Sequence, residues 1–234
     1  MSDRRVLLIT GASSGIGAAT ARRAAEAGFR LVLGARREEP LRDLVRELGV
    51  GEVLAVRSDV ADWADVERLT AAGLERFERI DAVFANAGGG VQRGFLEGSV
   101  EEWREMVLTN VLGVALTIRA TLPHMLERGT GHFVITSSLA GRRVVPGSLY
   151  SATKFAATAL GEGLRAELRQ VRKNRGIRVT VVEPGAVDTP FFDQQLPFRP
   201  LDANDVARTV LYALEQPEHV DLAEVVIRPT AQPF

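Results

Sequence analysis

The fold class of this chain is indicated by one stretch near the N-terminus, Val6-Leu7-Leu8-Ile9-Thr10-Gly11-Ala12-Ser13-Ser14-Gly15-Ile16-Gly17. Its first five residues form an apolar run of the kind that makes a buried strand. Among the glycines that follow, Gly11 permits a tight turn, Gly15 lets a ligand approach the backbone, and Gly17 lets a helix pack closely on the strand. This pattern predicts a nucleotide cradle with phosphates at a helix N-terminus. The alternative is a plain turn in which Ser13 or Ser14 caps the helix.

Short apolar runs alternate with helical patterns along the chain, without internal repeats or low-complexity segments. The predicted strands are residues 6–10, 31–35, 53–56, 82–85, 133–136, 179–182 and 225–227. The predicted helices are residues 17–27, 41–48, 64–77, 100–125, 151–173 and 204–216. Strand–helix alternation favours crossover connections and a mostly parallel sheet covered by helices on both faces. We therefore predict an α/β fold with a doubly wound, mostly parallel, seven-stranded sheet in a single domain over residues 1–234.

The composition excludes several functional classes. Of the 234 residues, 46% are hydrophobic and 25% are charged, which is typical of a globular domain. The formal net charge of −1 provides no general attraction to nucleic acid or to an anionic membrane. The chain has no cysteine and only three histidines, so we expect neither disulfides nor a metal site. No signal peptide and no run of roughly 18 apolar residues is present, so we predict a cytoplasmic protein without membrane or nucleic-acid partners.

The ends of the second and third predicted strands carry candidate groups for the adenosine half of a dinucleotide. Ala35 stands where NAD enzymes place a carboxylate for the ribose 2′-hydroxyl, and Arg36 and Arg37 follow it. Arginines there can pair with a 2′-phosphate, so the pattern favours NADP(H); the alternative is a solvated basic start to the next helix. Asp59, followed by Val60, can accept a hydrogen bond from an adenine amino group or can cap the next helix.

Two asparagines occupy positions where a polar side chain indicates a structural or functional role. Asn86 opens the run Asn86-Ala87-Gly88-Gly89-Gly90 after strand four, where glycines permit close approach of a ligand and Asn86 can brace the sheet. A surface loop is the alternative. Asn110 stands among apolar neighbours in the long predicted helix, where a buried amide must be hydrogen-bonded. It is therefore either a structural bridge or part of a site.

The residues with the clearest chemical use are Tyr150 and Lys154. Four residues apart on one helix, they share a face, and a nearby ammonium group favours the phenolate. Tyr150 then becomes a workable acid or base, and Ser138 at the end of strand five can hold a carbonyl oxygen. An isolated Tyr-x-x-x-Lys pair usually lies on the surface without a catalytic role, so this pair indicates catalysis only in combination with the other motifs.

Together these motifs resemble the short-chain dehydrogenase/reductase family. The matches follow family order over nearly the whole chain: Thr10-Gly11…Gly15-Ile16-Gly17, Asn86-Ala87-Gly88, Asn110, Ser138, Tyr150…Lys154 and Pro184-Gly185…Thr189. The resemblance implies a Rossmann-type fold, a homotetramer or homodimer, and a small carbonyl or alcohol substrate. It also implies a catalytic set of Asn110, Ser138, Tyr150 and Lys154, without metal.

The same resemblance implies a set of residues that bind NADP(H), or less favourably NAD(H). They are Gly11, Ser13, Ser14, Gly15, Ile16, Gly17, Arg36, Arg37, Asp59, Val60, Asn86, Ala87, Gly88, Tyr150, Lys154, Pro184, Gly185, Val187 and Thr189. By this resemblance Lys154 bonds the nicotinamide ribose, the Asn110 backbone helps to hold a water of the proton relay, and Val187 and Thr189 face the carboxamide.

The chain departs from the family pattern in two places. Ser14 stands where NADP-preferring members often carry a basic residue, so half of the usual basic pair is present. The family serine aligns with Ser137 or Ser138, and the Ala140-Gly141 pair selects Ser138. The loop from there to Tyr150 is then about one residue shorter than is common in the family.

Substrate size and polarity are indicated by the loops. A short lid near residues 189–204 favours a compact substrate; its apolar residues, which can also be ordinary core or subunit contacts, are Phe191, Phe192, Leu196 and Phe198. Loop arginines that can accept a carboxylate, or lie on the surface, are Arg93, Arg142 and Arg143. The tail from Glu224 to Gln232 is similar to that of NADP-dependent dehydrogenases of serine and other small 3-hydroxy acids.

Two functional hypotheses follow. The first is an enzyme that reversibly transfers a hydride between NADP(H) and a small carbonyl or alcohol, with Tyr150 as general acid/base. The second is a non-catalytic NADP(H)-binding sensor or scaffold on the same fold. Loss of Ser138, Tyr150 or Lys154 is expected in such a sensor, and all three are present.

Overall fold

The computed structural model describes residues 4–49, 51–90, 94–189 and 196–233. Its main sheet contains β1 Val6–Thr10, β2 Arg30–Ala35, β3 Val53–Arg57, β4 Ala82–Ala85, β5 Gly131–Thr136, β6 Ile177–Pro184 and β9 Glu224–Ile227. The strand order is β3-β2-β1-β4-β5-β6-β9, and each neighbouring pair is parallel. The predicted seven-stranded, doubly wound, Rossmann-type sheet is confirmed.

Helices cover both faces of this sheet. They are α1 Gly15–Glu26, α2 Glu38–Leu48, α3 Trp63–Phe77, α4 Val100–Val107, α5 Gly113–Arg128, α6 Leu149–Ala166 and α7 Ala203–Glu215. In β1, Leu7 and Ile9 face a core built with α1, α2 and α7, whereas Val6 and Leu8 face a core built with α3, α5 and α6. A strand buried on both faces needs a continuous apolar run, which explains the uninterrupted sequence of β1.

Several boundaries differ from the sequence-based prediction. The predicted helix 100–125 is divided by a π-helical turn, Leu108–Leu112, between α4 and α5. The predicted helix 151–173 starts earlier, at Leu149, and passes into a second π-helical turn, Glu167–Val171. A short parallel pair, β7 Val187–Asp188 with β8 Leu201–Asp202, was not predicted because two-residue strands leave no periodic pattern.

One helical stretch, Val100–Arg128, is long and apolar enough to cross a membrane by length and composition alone. Buried helices of globular proteins pass the same test. Here Met106, Val114, Ile118 and Met125 are buried within the fold, so the stretch forms part of the core.

Candidate active site

The glycine-rich turn after β1 has the geometry of a phosphate cradle. Gly11 has a φ of +67°, and a Cβ at Gly17 would lie 2.3 Å from the Gly11 carbonyl oxygen, so a side chain fits neither position. Ser14 occupies the N-cap of α1, but its side chain makes no capping hydrogen bond. The capping alternative is therefore wrong for Ser14. The first N–H groups of α1 stay available to an anion such as a pyrophosphate, so these residues fit a dinucleotide.

Arg36 and Arg37 lie beside this turn but have different partners. The Arg37 Nη2 donates to Ser14 Oγ at 2.7 Å and to Ser13 Oγ at 3.1 Å. The Arg36 guanidinium instead forms a salt bridge with Glu105 of α4. Both arginines are exposed and border the carboxyl ends of β1 and β2, and Arg37 is the N-cap residue of α2. A solvated basic start to this helix fits that arrangement, and contact of the two arginines with a 2′-phosphate stays a prediction.

Asp59 does not cap α3. Asp62 does, accepting from the Ala64 and Asp65 N–H groups at 2.8 and 3.4 Å. Asp59 accepts from the Ala61 N–H at 3.0 Å, within its own turn. Of the two interpretations of Asp59, the helix cap is therefore wrong, and its contact with adenine stays a prediction.

Asn86 braces three neighbouring strands at their carboxyl ends. Its Nδ2 donates to the Thr10 carbonyl oxygen at 3.2 Å, and its Oδ1 accepts from Thr136 Oγ1 at 3.2 Å. The Asn86 and Ala87 N–H groups both donate to Thr10 Oγ1. The segment after β4 is therefore fixed against β1 and β5, and the surface-loop alternative is wrong.

The π-helical turn directs Asn110 into the protein. Its side chain is almost completely buried, with 1% exposed. Oδ1 accepts from the Gly89 N–H at 2.9 Å, and Nδ2 donates to the Gly89 carbonyl oxygen at 2.8 Å and to Thr153 Oγ1 at 3.0 Å. Asn110 thus ties the loop after β4 to the helix that carries Tyr150. Single π-helical turns are frequent at functional sites.

Ser138, Tyr150 and Lys154 converge at the ends of β5 and β6. The Ser138 hydroxyl hydrogen-bonds the Tyr150 phenol and lies 3.4 Å from the Pro184 carbonyl oxygen. The Lys154 Nζ lies 5.6 Å from the centroid of the Tyr150 ring and donates to the Thr136 carbonyl oxygen at 3.0 Å. With 5% exposed, Lys154 is buried, so the pair is not surface decoration.

Gly88 connects this cluster to the loop after β4. A Cβ at Gly88 would lie 3.2 Å from Asn110 Oδ1 and 3.4 Å from Lys154 Nζ. Three separate segments of the chain therefore meet within van der Waals contact at this point.

Burial controls the pKa values of the two central groups. It raises the pKa of Tyr150 to about 12, against a smaller lowering from the Ser138 hydrogen bond. It lowers the pKa of Lys154 to about 8. The pKa of Tyr150 therefore lies above its usual value, opposite to the lowering expected from the neighbouring ammonium, because desolvation of the phenolate outweighs the Ser138 hydrogen bond. Tyr150 is held as a neutral phenol, a proton donor.

Ser137 has a structural position, in contrast to Ser138. Ser137 Oγ donates to the Lys154 carbonyl oxygen at 2.9 Å and lies 2.8 Å from Thr158 Oγ1. Thr158 Oγ1 donates to Glu183 Oε1 at 3.2 Å. The Ser137 hydroxyl is thus bonded within the fold, to the Lys154 carbonyl oxygen and Thr158, whereas the Ser138 hydroxyl bonds the Tyr150 phenol.

Sequence reasoning missed Glu183, whose side chain is fully buried. Arg142 forms salt bridges with Glu183 and with Glu224, which joins the turn after Ser138 to β6 and β9. The prediction that Arg142 can receive a substrate carboxylate is therefore wrong, because its guanidinium already has two carboxylate partners. A carboxylate directly after the apolar run 179–182 was the signal in the sequence.

The end of β6 is supported by the C-terminal tail. The Gly185 N–H donates to the Ile227 carbonyl oxygen at 2.7 Å, and the Ala186 N–H donates to Gln232 Oε1 at 2.9 Å. Val187 is buried, and Thr189 Cγ2 lies 3.1 Å from where a Cβ at Gly15 would be. The Pro184–Thr189 motif thus reaches the glycine-rich turn.

Some predicted features lie outside the described residues: Arg93, and residues 190–195 of the predicted lid with Phe191 and Phe192. Among the residues that are described, no group of three or more histidine, aspartate or glutamate side chains is placed to hold a metal ion.

A nucleotide cradle beside a Ser-Tyr-Lys cluster, both at the carboxyl edge of a Rossmann-type sheet, defines the class as an oxidoreductase. The chain belongs to the short-chain dehydrogenase/reductase family, since the family model described as short chain dehydrogenase matches residues 5–199.

Relatives extend over the whole chain. An uncharacterised oxidoreductase of Staphylococcus aureus strain MW2 is 36% identical over 228 residues, covering 96% of this chain and 97% of the relative. The alcohol dehydrogenase of the archaeon Thermococcus sibiricus, complexed with 5-hydroxy-NADP, is 34% identical with a TM-score of 0.89 and 99% of both chains covered. A serine dehydrogenase complexed with NADP+ is 30% identical with a TM-score of 0.90, covering 98% and 96%. Other solved relatives are complexed with NAD or NADH.

Proposed function

We propose that this protein is an NADP(H)-dependent enzyme that interconverts a small carbonyl compound and its alcohol, with Tyr150 as general acid/base. The observation that carries the proposal is the convergence of the Ser138 hydroxyl, the Tyr150 phenol and the buried Lys154 ammonium group beside the glycine-rich cradle. A sensor of the same fold has no need for this buried and costly arrangement.

The chain's own residues account for binding and proton transfer. Ser138 and Tyr150 hold the carbonyl oxygen through hydroxyl hydrogen bonds, which stabilises the charge that develops on it. Tyr150 gives its proton to that oxygen as the carbon–oxygen double bond becomes a single bond. When bound, the reduced nicotinamide supplies the hydride that the carbonyl carbon gains. Lys154 lies beside Tyr150 to favour the phenolate that remains. The Asn110 backbone helps to hold a water of the proton relay, and its side-chain hydrogen bonds to Gly89 and Thr153 keep it in place.

The cofactor preference rests on Arg36 and Arg37, which border the cradle. A 2′-phosphate can accept charge-assisted hydrogen bonds from both guanidinium groups, which NAD(H) cannot exploit. The proposed binding set is the one given by the sequence motifs, from the glycine-rich turn to the Pro184–Thr189 segment.

The predicted lid bears on the substrate, and an exposed apolar patch bears on the assembly. The short lid predicted near residues 189–204 favours a compact substrate. An exposed apolar patch formed by Val107, Leu108, Leu112 and Phe155 on neighbouring helices suits a subunit contact in a homodimer or homotetramer. Cytoplasmic location and the absence of membrane and nucleic-acid partners stay predictions from composition.

The test is oxidation of NADPH and NADH by the purified protein over small ketones, aldehydes, diketones and 3-oxo acids, with Tyr150→Phe run in parallel. Loss of the proton donor should lower kcat by about 100-fold or more while the Kd for NADPH stays within about twofold. Tyr212, the only other tyrosine, is exposed on α7, so Tyr212→Phe is the matched control and should keep full activity.

A Tyr150→Phe protein that turns over at the wild-type rate would remove Tyr150 from the mechanism. NADPH binding without turnover of any substrate in the wild type would instead favour the sensor.

A further inference from the structure

The partner of Arg36 is an anion from a distant part of the chain. Arg36 follows β2, and Glu105 lies on α4, 69 residues later, so their salt bridge crosses the carboxyl edge of the sheet. Both side chains are more than half exposed, at 56% and 60%. Ligands in solution can therefore reach this ion pair and exchange with it.

Arg36 and Arg37 have different partners, so a phosphate that binds them must displace a different group at each arginine. Arg37 contacts the neutral hydroxyls of Ser13 and Ser14, which can stay beside a phosphate and donate to it. Arg36 contacts a carboxylate, which cannot donate and which repels a phosphate. Asp59 is a second carboxylate that acts on Arg36. Two carboxylates thus act on Arg36.

We infer that Glu105 is a specificity-determining residue that competes with the 2′-phosphate of NADP(H) for the Arg36 guanidinium. The inference rests on the proposed function, specifically on Arg36 as a 2′-phosphate ligand. NADP(H) must break the Arg36–Glu105 pair to reach Arg36, whereas NAD(H), which has no 2′-phosphate, leaves the pair intact. Glu105 therefore weakens binding of NADP(H) selectively and moderates the preference that the paired arginines create.

The experiment is a fluorescence titration of NADPH and NADH with the wild type, Glu105→Gln, Arg36→Ala and the double variant. Exposed ion pairs are weak, so Glu105→Gln should tighten NADPH by about two- to fivefold and leave NADH unchanged. In the Arg36→Ala background, Glu105→Gln should leave the Kd for NADPH unchanged, because the guanidinium group for which Glu105 competes is absent. The gain should shrink at high salt, which screens exposed charges.

The matched control is Glu101→Gln, which removes the same charge one helical turn earlier on α4, where the side chain is exposed. It should leave the Kd for NADPH unchanged. The inference is overturned if Glu105→Gln does not tighten NADPH, if it tightens NADH equally, if Glu101→Gln has the same effect, or if the effect persists without Arg36.

The Glu105→Gln and Arg36→Ala variants distinguish failure of this inference from failure of the proposed function on which it rests. If Arg36→Ala weakens NADPH selectively while Glu105→Gln changes nothing, only the role of Glu105 fails. If Arg36→Ala leaves the Kd for NADPH unchanged, the 2′-phosphate assignment in the proposed function fails, and the inference fails with it.

Discussion

Lys154 holds a charge where the fold would be more stable without one. Its Nζ is buried and donates to one backbone carbonyl oxygen, at Thr136, and burial lowers its pKa from 10.5 to about 8. A lysine that binds its proton more weakly when folded destabilises the folded state wherever both states are charged. At the scale of the residue, the protein therefore gives up stability to keep an ammonium group beside Tyr150.

We expect Lys154→Met to abolish turnover and to raise the free energy of unfolding at neutral pH by about 1–3 kcal/mol, less than the full pKa difference because the bond to Thr136 is lost. The unfolded state binds more protons between about pH 8 and 10.5, so the wild type gains stability as pH rises through this window and the difference shrinks. Urea unfolding of both proteins at several pH values measures this difference in the free energy of unfolding. A variant less stable than the wild type at neutral pH would contradict the argument.

The π-helical turn between α4 and α5 is the element that brings the distant segments of the site together. A π turn widens the helix by one residue and lets Asn110 point inward from a helix whose flanking residues Val107, Leu108 and Leu112 face outward. The Asn110 amide then satisfies both polar groups of Gly89 and one hydroxyl of α6.

Asn110→Ala should lower the free energy of unfolding by about 1–3 kcal/mol, because the half-buried N–H and C=O of Gly89 and the buried Thr153 hydroxyl lose their partner. Turnover should fall as well, since Gly88, next to Gly89, lies beside Lys154. Chemical denaturation of the variant gives the stability change. The control is Thr109→Ala, at the adjacent half-buried position, which should cost less than half as much; equal losses would show that Asn110 has no special bridging role.

The two edges of the sheet serve different purposes in the molecule as a whole. The carboxyl edge carries the cradle and the Ser-Tyr-Lys cluster. The amino edge carries ion pairs of Asp81 with Arg79 and Arg128, and the buried His132, whose Nε2 lies 2.8 Å from Thr180 Oγ1. Burial, with smaller effects of Arg178 and Arg5, lowers the pKa of His132 to about 3. The amino edge is thus a structural region that is sensitive to acid.

An unfolded histidine binds its proton near pH 6.5, whereas His132 in the folded protein does so only near pH 3. The unfolded state therefore binds more protons over this window, and stability falls as pH drops through it, by at most about 5 kcal/mol. We expect His132→Val to flatten this dependence, whatever its effect at neutral pH. Unfolding free energies measured across the window test this; the exposed His219→Gln should keep the wild-type slope, and an unchanged slope in His132→Val would contradict the assignment.

Features that depend on local spacing could be predicted from the sequence. The seven sheet strands follow from apolar runs, the glycine-rich turn from three glycines, and the shared face of Tyr150 and Lys154 from their four-residue separation. Each rests on the geometry of one element. The π-helical turn could not be predicted, because it differs from an α-helix by one hydrogen-bond register and keeps the same apolar pattern.

The fold class and the glycine-rich turn follow from the sequence alone, as do the candidate residues of the proposed site, since periodicity and glycine placement act within a few residues. The partner that each polar group takes, in contrast, depends on how distant segments pack together. This packing placed Ser138 rather than Ser137 on the Tyr150 phenol, paired Arg142 with Glu183, and paired Arg36 with Glu105. These contacts join residues far apart in the chain, and they depend on strand order and helix packing, which no local pattern encodes.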